Sequence, residues 1–144
     1  MRRGTQYERH IFVKVRALDH VNIIAADLDG TARFYAELFG LDRRNAPPPL
    51  TPENAQWMYD EAGRAIFHIN SLDCPRTFAR AVAPGPTGSI HHVALNCSGF
   101  DEMIARLDAR AMARQVNLIE AIGLRQIFTA DPNGVLLELN FFGD

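Results

Sequence analysis

The chain has 144 residues, 47% hydrophobic and 22% charged, which suits one globular domain with a sizeable core. Its 15 basic and 17 acidic residues give a net charge of -2, so there is no basic surplus for a nucleic-acid backbone or an anionic membrane. This composition argues against disorder, nucleic-acid binding and membrane association.

The cysteines and the first residues indicate the cellular compartment. Cys74 and Cys97 lie in different segments without a CxxC spacing, so we expect two reduced thiols and no thiolate zinc site. The charged first ten residues are followed by no apolar stretch of the kind found in signal peptides or membrane spans. We therefore expect a cytoplasmic location.

The first half of the chain predicts one β-α-β-β-β module, at about residues 13–70. Residues 1–10 are polar and predict a loose or strand-adding arm. Capping residues near Asp27 and a stop at Gly40 bound a helix with apolar positions at helical spacing. The predicted strands are Val13–Ile24, Leu41–Asn45, Trp57–Asp60 and Ala65–Asn70.

The second half repeats this order after a connector at residues 71–88 that is rich in proline and glycine. Its predicted elements, within residues 89–142, are strand Ile90–Cys97, helix Phe100–Met112, strand Val116–Leu118 and the hairpin Leu124–Ala130 with Val135–Phe142. The sequence L-D-H-V-N-I at 18–23 matches I-H-H-V-A-L at 90–95, and F-H-I-N at 67–70 matches L-E-L-N at 137–140. These matches indicate an internal duplication within a single domain, residues 1–144.

Glu138 occupies an unusual position for an acidic residue. The turn Asp131-Pro132-Asn133-Gly134 leads into a strand that is largely apolar on both faces. An ionised carboxylate on a covered face is costly unless it is paired or binds a metal. One simple alternative is an ion pair with Arg125.

Four metal-capable side chains fall at symmetric positions of the repeat: His20, His68, His92 and Glu138. A single histidine in a strand is usually a hydrogen-bonded core residue, but the symmetry favours joint binding of one divalent ion, either Zn, Ni, Co, Mn or Fe. His68 is the open case, because it is either a fourth ligand or a proton carrier beside the ion.

The sequence resembles the vicinal oxygen chelate superfamily, which includes glyoxalases, bleomycin-binding proteins and extradiol dioxygenases. The resemblance covers residues 17–142. It rests on L-D-H-V-N-I, on F-Y-A-E-L-F-G-L at 34–41, on I-H-H-V-A-L, and on R-Q-I-F-T-A-D-P-N-G-V-L-L-E-L-N at 125–140.

The resemblance implies an α+β fold of two βαβββ modules, with a cupped, mixed sheet around the ion. It places His20 and His92 at the first-strand ligand positions and Glu138 and His68 at the last-strand positions. Relatives carry Glu or Gln where this chain has His68. Family members differ in whether the cup is completed within one chain or across a homodimer, and we expect a homodimer.

The resemblance further implies a glyoxalase-type lyase or isomerase whose metal polarises a small substrate chelated through vicinal oxygens and stabilises an enediolate. Glu138 or His68 would act as the base. The alternatives are an Fe(II)-dependent extradiol-type dioxygenase, disfavoured because Phe128 replaces that group's Tyr, and a non-catalytic small-molecule binding or resistance protein. The predicted substrate pocket consists of Asn22, Trp57, Tyr59, Asn96, Gln126 and Phe128.

Overall fold

The computed structural model describes residues 13–77 and 80–143, so the predicted arm at residues 1–10 lies outside the described residues. The order β-α-β-β-β occurs twice. The first module consists of β1 (Val21–Ala25), α1 (Leu28–Phe39), β2 (Asp42–Asn45), β3 (Ala55–Tyr59) and β4 (Ala65–Ser71). The second consists of β5 (Val93–Cys97), α2 (Phe100–Ala109), β6 (Gln115–Ile119), β7 (Leu124–Ala130) and β8 (Leu136–Phe142), with a 3-10 turn at Glu120–Ile122.

Each module forms its own four-stranded sheet. The strand order is β1-β4-β3-β2 in the first sheet and β5-β8-β7-β6 in the second. In both sheets the first and last strands of the module run parallel and the remaining pairs are antiparallel. The predicted α+β fold with two βαβββ modules in one chain is therefore confirmed.

Helix α1 begins and ends where its capping residues require. The carboxylate of Asp27 accepts a hydrogen bond of 2.9 Å from the backbone N–H of Gly30, which satisfies one free donor of the first turn. A Cβ at Gly30 would lie 2.1 Å from Oδ2 of Asp27, so a larger residue there would displace the capping carboxylate. Gly40 ends the helix in the left-handed conformation, with φ of 70°.

One apolar core joins both sheets and both helices. It includes Phe34 and Leu38 of α1, and Met103 and Leu107 of α2. His68 on β4 and Glu138 on β8 lie between residues that enter this core, so both side chains are on the opposite face of their sheets. The flanking core residues are Phe67, Ile69, Leu137 and Leu139.

Buried polar contacts fasten α1 to the turn between β7 and β8. The hydroxyl of Tyr35, which is fully buried, donates to Oδ2 of Asp131 at 2.9 Å. Nδ2 of Asn133 lies 3.2 Å from the hydroxyl of Thr31. The connector reaches the same turn, since the N–H of Gly85 donates to the carbonyl of Asn133 at 2.8 Å. Both modules are thus linked by packing and by hydrogen bonds.

Both first strands are shorter than predicted. The expected strand Val13–Ile24 begins only at Val21, and the expected strand Ile90–Cys97 begins only at Val93. The residues just before Val21 and just before Val93 have no neighbouring strand in the described part of the chain, and their large apolar side chains are exposed. The exposed fractions are 97% for Val13, 91% for Val15, 81% for Leu18 and 66% for Ile90. Helix α2 also ends before the predicted Met112, at Ala109.

Neither α1 nor α2 has the length and apolar character needed to cross a membrane, and no other helix in the described ranges does.

Candidate metal centre

The strand register places equivalent residues of the two modules in equivalent rows. In the first sheet, His68 lies between Asn22 on β1 and Trp57 on β3. In the second, Glu138 lies between Ala94 on β5 and Phe128 on β7. His20 and His92 each come just before the first strand of their module. The duplication seen in the sequence thus extends to the position of each candidate ligand in its sheet.

In the first module, three rings stack around His68. The His20 and His68 ring centroids are 3.7 Å apart with an interplanar angle of 13°, and the Trp57 and His68 centroids are 3.9 Å apart with an angle of 6°. Burial, followed by the neighbouring His20, lowers the pKa of His68 to about 4, although Asp19 opposes the shift. At neutral pH, His68 is therefore the uncharged imidazole, which is the form that binds metal ions.

The stacked pair fits one ion only after a rotation. An imidazole nitrogen binds a metal through a lone pair in the plane of its ring, and two nearly parallel planes share no such point. His20 is the ring that can turn, because it precedes β1 and its side chain is 35% exposed. Its Nδ1 contacts only the neighbouring Asp19 carboxylate among the hydrogen-bond partners in the described residues. Binding of one ion by both rings would therefore require His20 to leave the stack.

The second module brings its two candidate ligands into direct contact. Nε2 of His92 and Oε2 of Glu138 are 2.9 Å apart. Two ligands of one tetrahedral ion at about 2.1 Å lie about 3.4 Å from each other, whereas 2.9 Å is the length of a hydrogen bond or ion pair. Nδ1 of His92 lies 3.0 Å from Nδ1 of His91, which turns Nε2 toward the carboxylate. Sequence reasoning missed His91, although the His-His pair in I-H-H-V-A-L was a signal for it.

Arg125 is not the partner of Glu138, so that alternative is wrong. The strand alternation puts Arg125 on the other face of β7, where its guanidinium lies 4.1 Å from the ring centroid of Phe100. Glu138 contacts Gln126 instead, whose Nε2 donates to Oε1 of Glu138 at 2.7 Å. The side chain of Glu138 is 13% exposed.

The six predicted pocket residues lie on β1, β3, β5 and β7, the strands that flank β4 and β8. Asn22 is exposed beside His68, and Asn96 is exposed in register with Asn140. Phe128 meets His92 edge-on, with centroids 6.3 Å apart. Tyr59 lies under the guanidinium of Arg44 at 4.3 Å, two positions along the strand from Trp57.

The structure brings the four candidates together as two pairs. Across residues 13–77 and 80–143, no group of three or more His, Cys, Asp or Glu side chains is close enough to hold a metal ion. The edge strands β1 and β5 do not pair, and a cleft of about 860 Å³ is lined by β5, by residues 18–21, by the end of α1 and by the start of α2. His20 lines this cleft, but His68, His92 and Glu138 do not. Joint binding of one ion by all four residues remains a prediction.

The paired βαβββ modules and the symmetric histidine and carboxylate positions define a class of proteins with duplicated, metal-capable sheets. The family model described as the Glyoxalase/Bleomycin resistance protein/Dioxygenase superfamily matches residues 17–139. The chain belongs to this superfamily, whose members generally use divalent metals.

Individual relatives are distant. Glyoxylase I 4 of Arabidopsis thaliana is 24% identical over 126 residues, which cover 85% of this chain and 69% of that protein. A putative glyoxalase family protein from Bacillus anthracis superposes with a TM-score of 0.68 at 17% identity, over 92% of this chain and 99% of the other. Lactoylglutathione lyase from Agrobacterium tumefaciens gives 0.58 at 20% identity, over 88% and 94%. At these identities the structural matches show the fold alone.

Proposed function

We propose that this protein is a metal-dependent lyase or isomerase of the glyoxalase type that acts on a small substrate with vicinal oxygens. The observation that carries the proposal is the convergence of Nε2 of His92 and Oε2 of Glu138 at 2.9 Å, at a position that the first module repeats with His20 and His68. A bound divalent ion would supply a Lewis acid for a substrate carbonyl. A relative named as a glyoxalase and a structural neighbour named as a lyase support this class.

In the proposed site, the chain's own residues hold the ion and move one proton. His92, Glu138 and His20 supply nitrogen and oxygen donors of the kind that borderline divalent ions accept. The base is Glu138 once it has left the ion, or His68 if it is not a ligand. Trp57, stacked on His68, provides a flat apolar wall for the substrate.

The complete site needs a second copy of the chain. Each half-site lies beside an edge strand, β1 or β5, and each edge strand is preceded by exposed apolar residues. Such edges and patches are normally covered. A homodimer that places β1 of one copy beside β5 of the other would cover both edges and join the histidine pair of one copy to the His92 and Glu138 pair of its partner.

A mixed dimer tests this arrangement. One chain carries His20→Ala with His68→Ala, and the other carries His92→Ala with Glu138→Gln, each with a different affinity tag. We expect neither homodimer to retain cobalt, whereas the purified mixed dimer retains one ion, half the content of the parent dimer, because one of its two shared sites is intact. Metal content is measured by elemental analysis. If the mixed dimer is empty while the parent dimer is loaded, the site lies within one chain.

A ring-cleaving oxygenase is the second candidate. His20, His92 and Glu138 would match the two-histidine, one-carboxylate donor set of non-haem iron enzymes. Elemental analysis of the purified protein, followed by assays with methylglyoxal-thiol adducts and with catechols under oxygen monitoring, separates the two activities. Product formation without oxygen uptake supports the lyase or isomerase, and oxygen uptake with Fe(II) contradicts it. A protein that binds the small molecule, but neither binds a metal nor converts the small molecule, would be a binding protein.

A further inference from the structure

Gln126 makes contacts that are unusual for a residue of a substrate pocket. It lies in the middle of β7, is 9% exposed, and uses both ends of its amide. Nε2 donates to Oε1 of Glu138 at 2.7 Å and to Oδ1 of Asn140 at 3.0 Å. Oε1 accepts from Nδ2 of Asn117 at 2.8 Å. All polar atoms of the Gln126 side chain therefore have partners within the second sheet, and its amide has one defined orientation.

These contacts leave the two oxygens of Glu138 in different surroundings. Oε1 accepts the hydrogen bond from Gln126, while Oε2 lies 2.9 Å from Nε2 of His92. A carboxylate with both oxygens free can rotate and bind an ion through one oxygen or both. With Oε1 occupied by a donor, Oε2 is the oxygen presented toward His92.

The first module lacks this arrangement. The strand register makes Ala55 the equivalent of Gln126, because Ala55 pairs with Asn70 as Gln126 pairs with Asn140. Alanine has no amide, and Oδ1 of the buried Asn70 has no hydrogen-bond partner in the part of the chain that the structure describes. Among residues 13–77 and 80–143, His68 has ring stacks with His20 and Trp57 and no hydrogen-bond donor from β3. The amide chain is therefore specific to the module that carries the carboxylate.

We propose that Gln126 is the positioning residue for Glu138, fixing the carboxylate so that Oε2 alone is offered to the ion. This role rests on the proposed metal function. Groups that orient a metal ligand commonly affect affinity about 10 to 100-fold when they are removed. Gln126 contacts neither the ion nor the substrate in this role.

The test uses the 144-residue chain and cobalt alone. Gln126→Met keeps the length and packing of the side chain but removes the amide. We expect a loss of Co²⁺ affinity of about 10 to 100-fold by calorimetric titration. We also expect a changed visible absorption spectrum of the loaded protein, because a freed carboxylate alters the coordination number.

Thr129→Val is the matched control. Thr129 is also buried on β7, but on the opposite face, where its hydroxyl donates to the carbonyl of Ala113 at 3.0 Å. This variant should lower the melting temperature without changing the cobalt affinity or spectrum. If Gln126→Met does not fold, Asn117→Ala decides the question, since Asn117 is exposed on β6 and its loss should weaken cobalt binding in the same direction.

The outcomes separate this proposal from the proposed function. A parent protein that binds cobalt, together with a Gln126→Met variant of equal affinity and identical spectrum, overturns the positioning role alone. The same holds for an unchanged Asn117→Ala variant if Gln126→Met is unfolded. A parent protein that binds no cobalt overturns both proposals.

Discussion

Replacing Glu138 by glutamine is expected to lower the affinity for a divalent ion by about 100-fold or more, above the range seen when only an orienting neighbour is lost. The substitution keeps the size of the side chain but removes the charge that faces His92 at 2.9 Å. Nε2 of Gln126 now donates to Oε1 of Glu138. The new side-chain amide at position 138 would bring a second N–H donor to this place, where only an acceptor fits. Calorimetric titration with Zn²⁺ or Co²⁺ measures the effect.

Glu120→Gln is the control for the charge change. Glu120 is exposed in the 3-10 turn before β7. The same substitution there removes one negative charge away from the proposed centre. It should leave metal affinity unchanged. If Glu138→Gln behaved like Glu120→Gln in both stoichiometry and affinity, the centre would have to be sought elsewhere.

His68→Ala then separates the two roles left open for that residue. Loss of the ion would support a site of four ligands. Retention of the ion with loss of turnover would support a proton carrier. Because His68 is also stacked between His20 and Trp57, the melting temperature of the variant should be recorded beside its metal content.

The second large effect is expected at Asp131, whose role is structural and not metal binding. Asp131→Ala should lower the free energy of unfolding by about 3–5 kcal/mol, because buried donors would lose a charged acceptor. Asp131 is 5% exposed and accepts from the Tyr35 hydroxyl at 2.9 Å and from the backbone N–H groups of Asn133 at 2.8 Å and Val135 at 2.9 Å. Urea-induced unfolding measures the change.

Tyr35→Phe is the paired variant for Asp131→Ala. It removes one donor and leaves the backbone bonds of the turn intact, so we expect a smaller loss of about 1–2 kcal/mol. Burial, and then the charge of Asp131, raise the pKa of the Tyr35 hydroxyl far above its usual value, so it remains a donor throughout the pH range of the experiment. Equal losses in the two variants would show that the turn itself gains little from Asp131.

Much of the site's local layout could be predicted from the sequence. The repeat of L-D-H-V-N-I as I-H-H-V-A-L identified the equivalent strands of the two modules. Strand alternation then predicted that His68 and Glu138 lie on equivalent faces of their sheets. The same alternation put Gln126 and Phe128 with Glu138, and Arg125 on the opposite face. All of these placements depend only on the two-residue period of a strand.

The remaining features depend on tertiary contacts that no periodicity encodes. The residues from Val13 to Leu18 alternate like a strand, yet a strand also needs a neighbour, and the described chain offers none there. The separation of the four candidates into two pairs follows from the unpaired edges of β1 and β5. The hydrogen bond from Gln126 to Glu138 required the register and the side-chain rotamers, beyond the face on which each residue lies.

The ring stack in the first module provides an optical signal. Trp57 is the single tryptophan of the chain, so the indole emission of the protein originates at 3.9 Å from the imidazole of His68. Any event that draws His20 or His68 out of the stack alters the surroundings of that one fluorophore. If the proposed centre takes up a cation, we expect the indole emission to change, which would allow binding to be followed without a label or a known substrate.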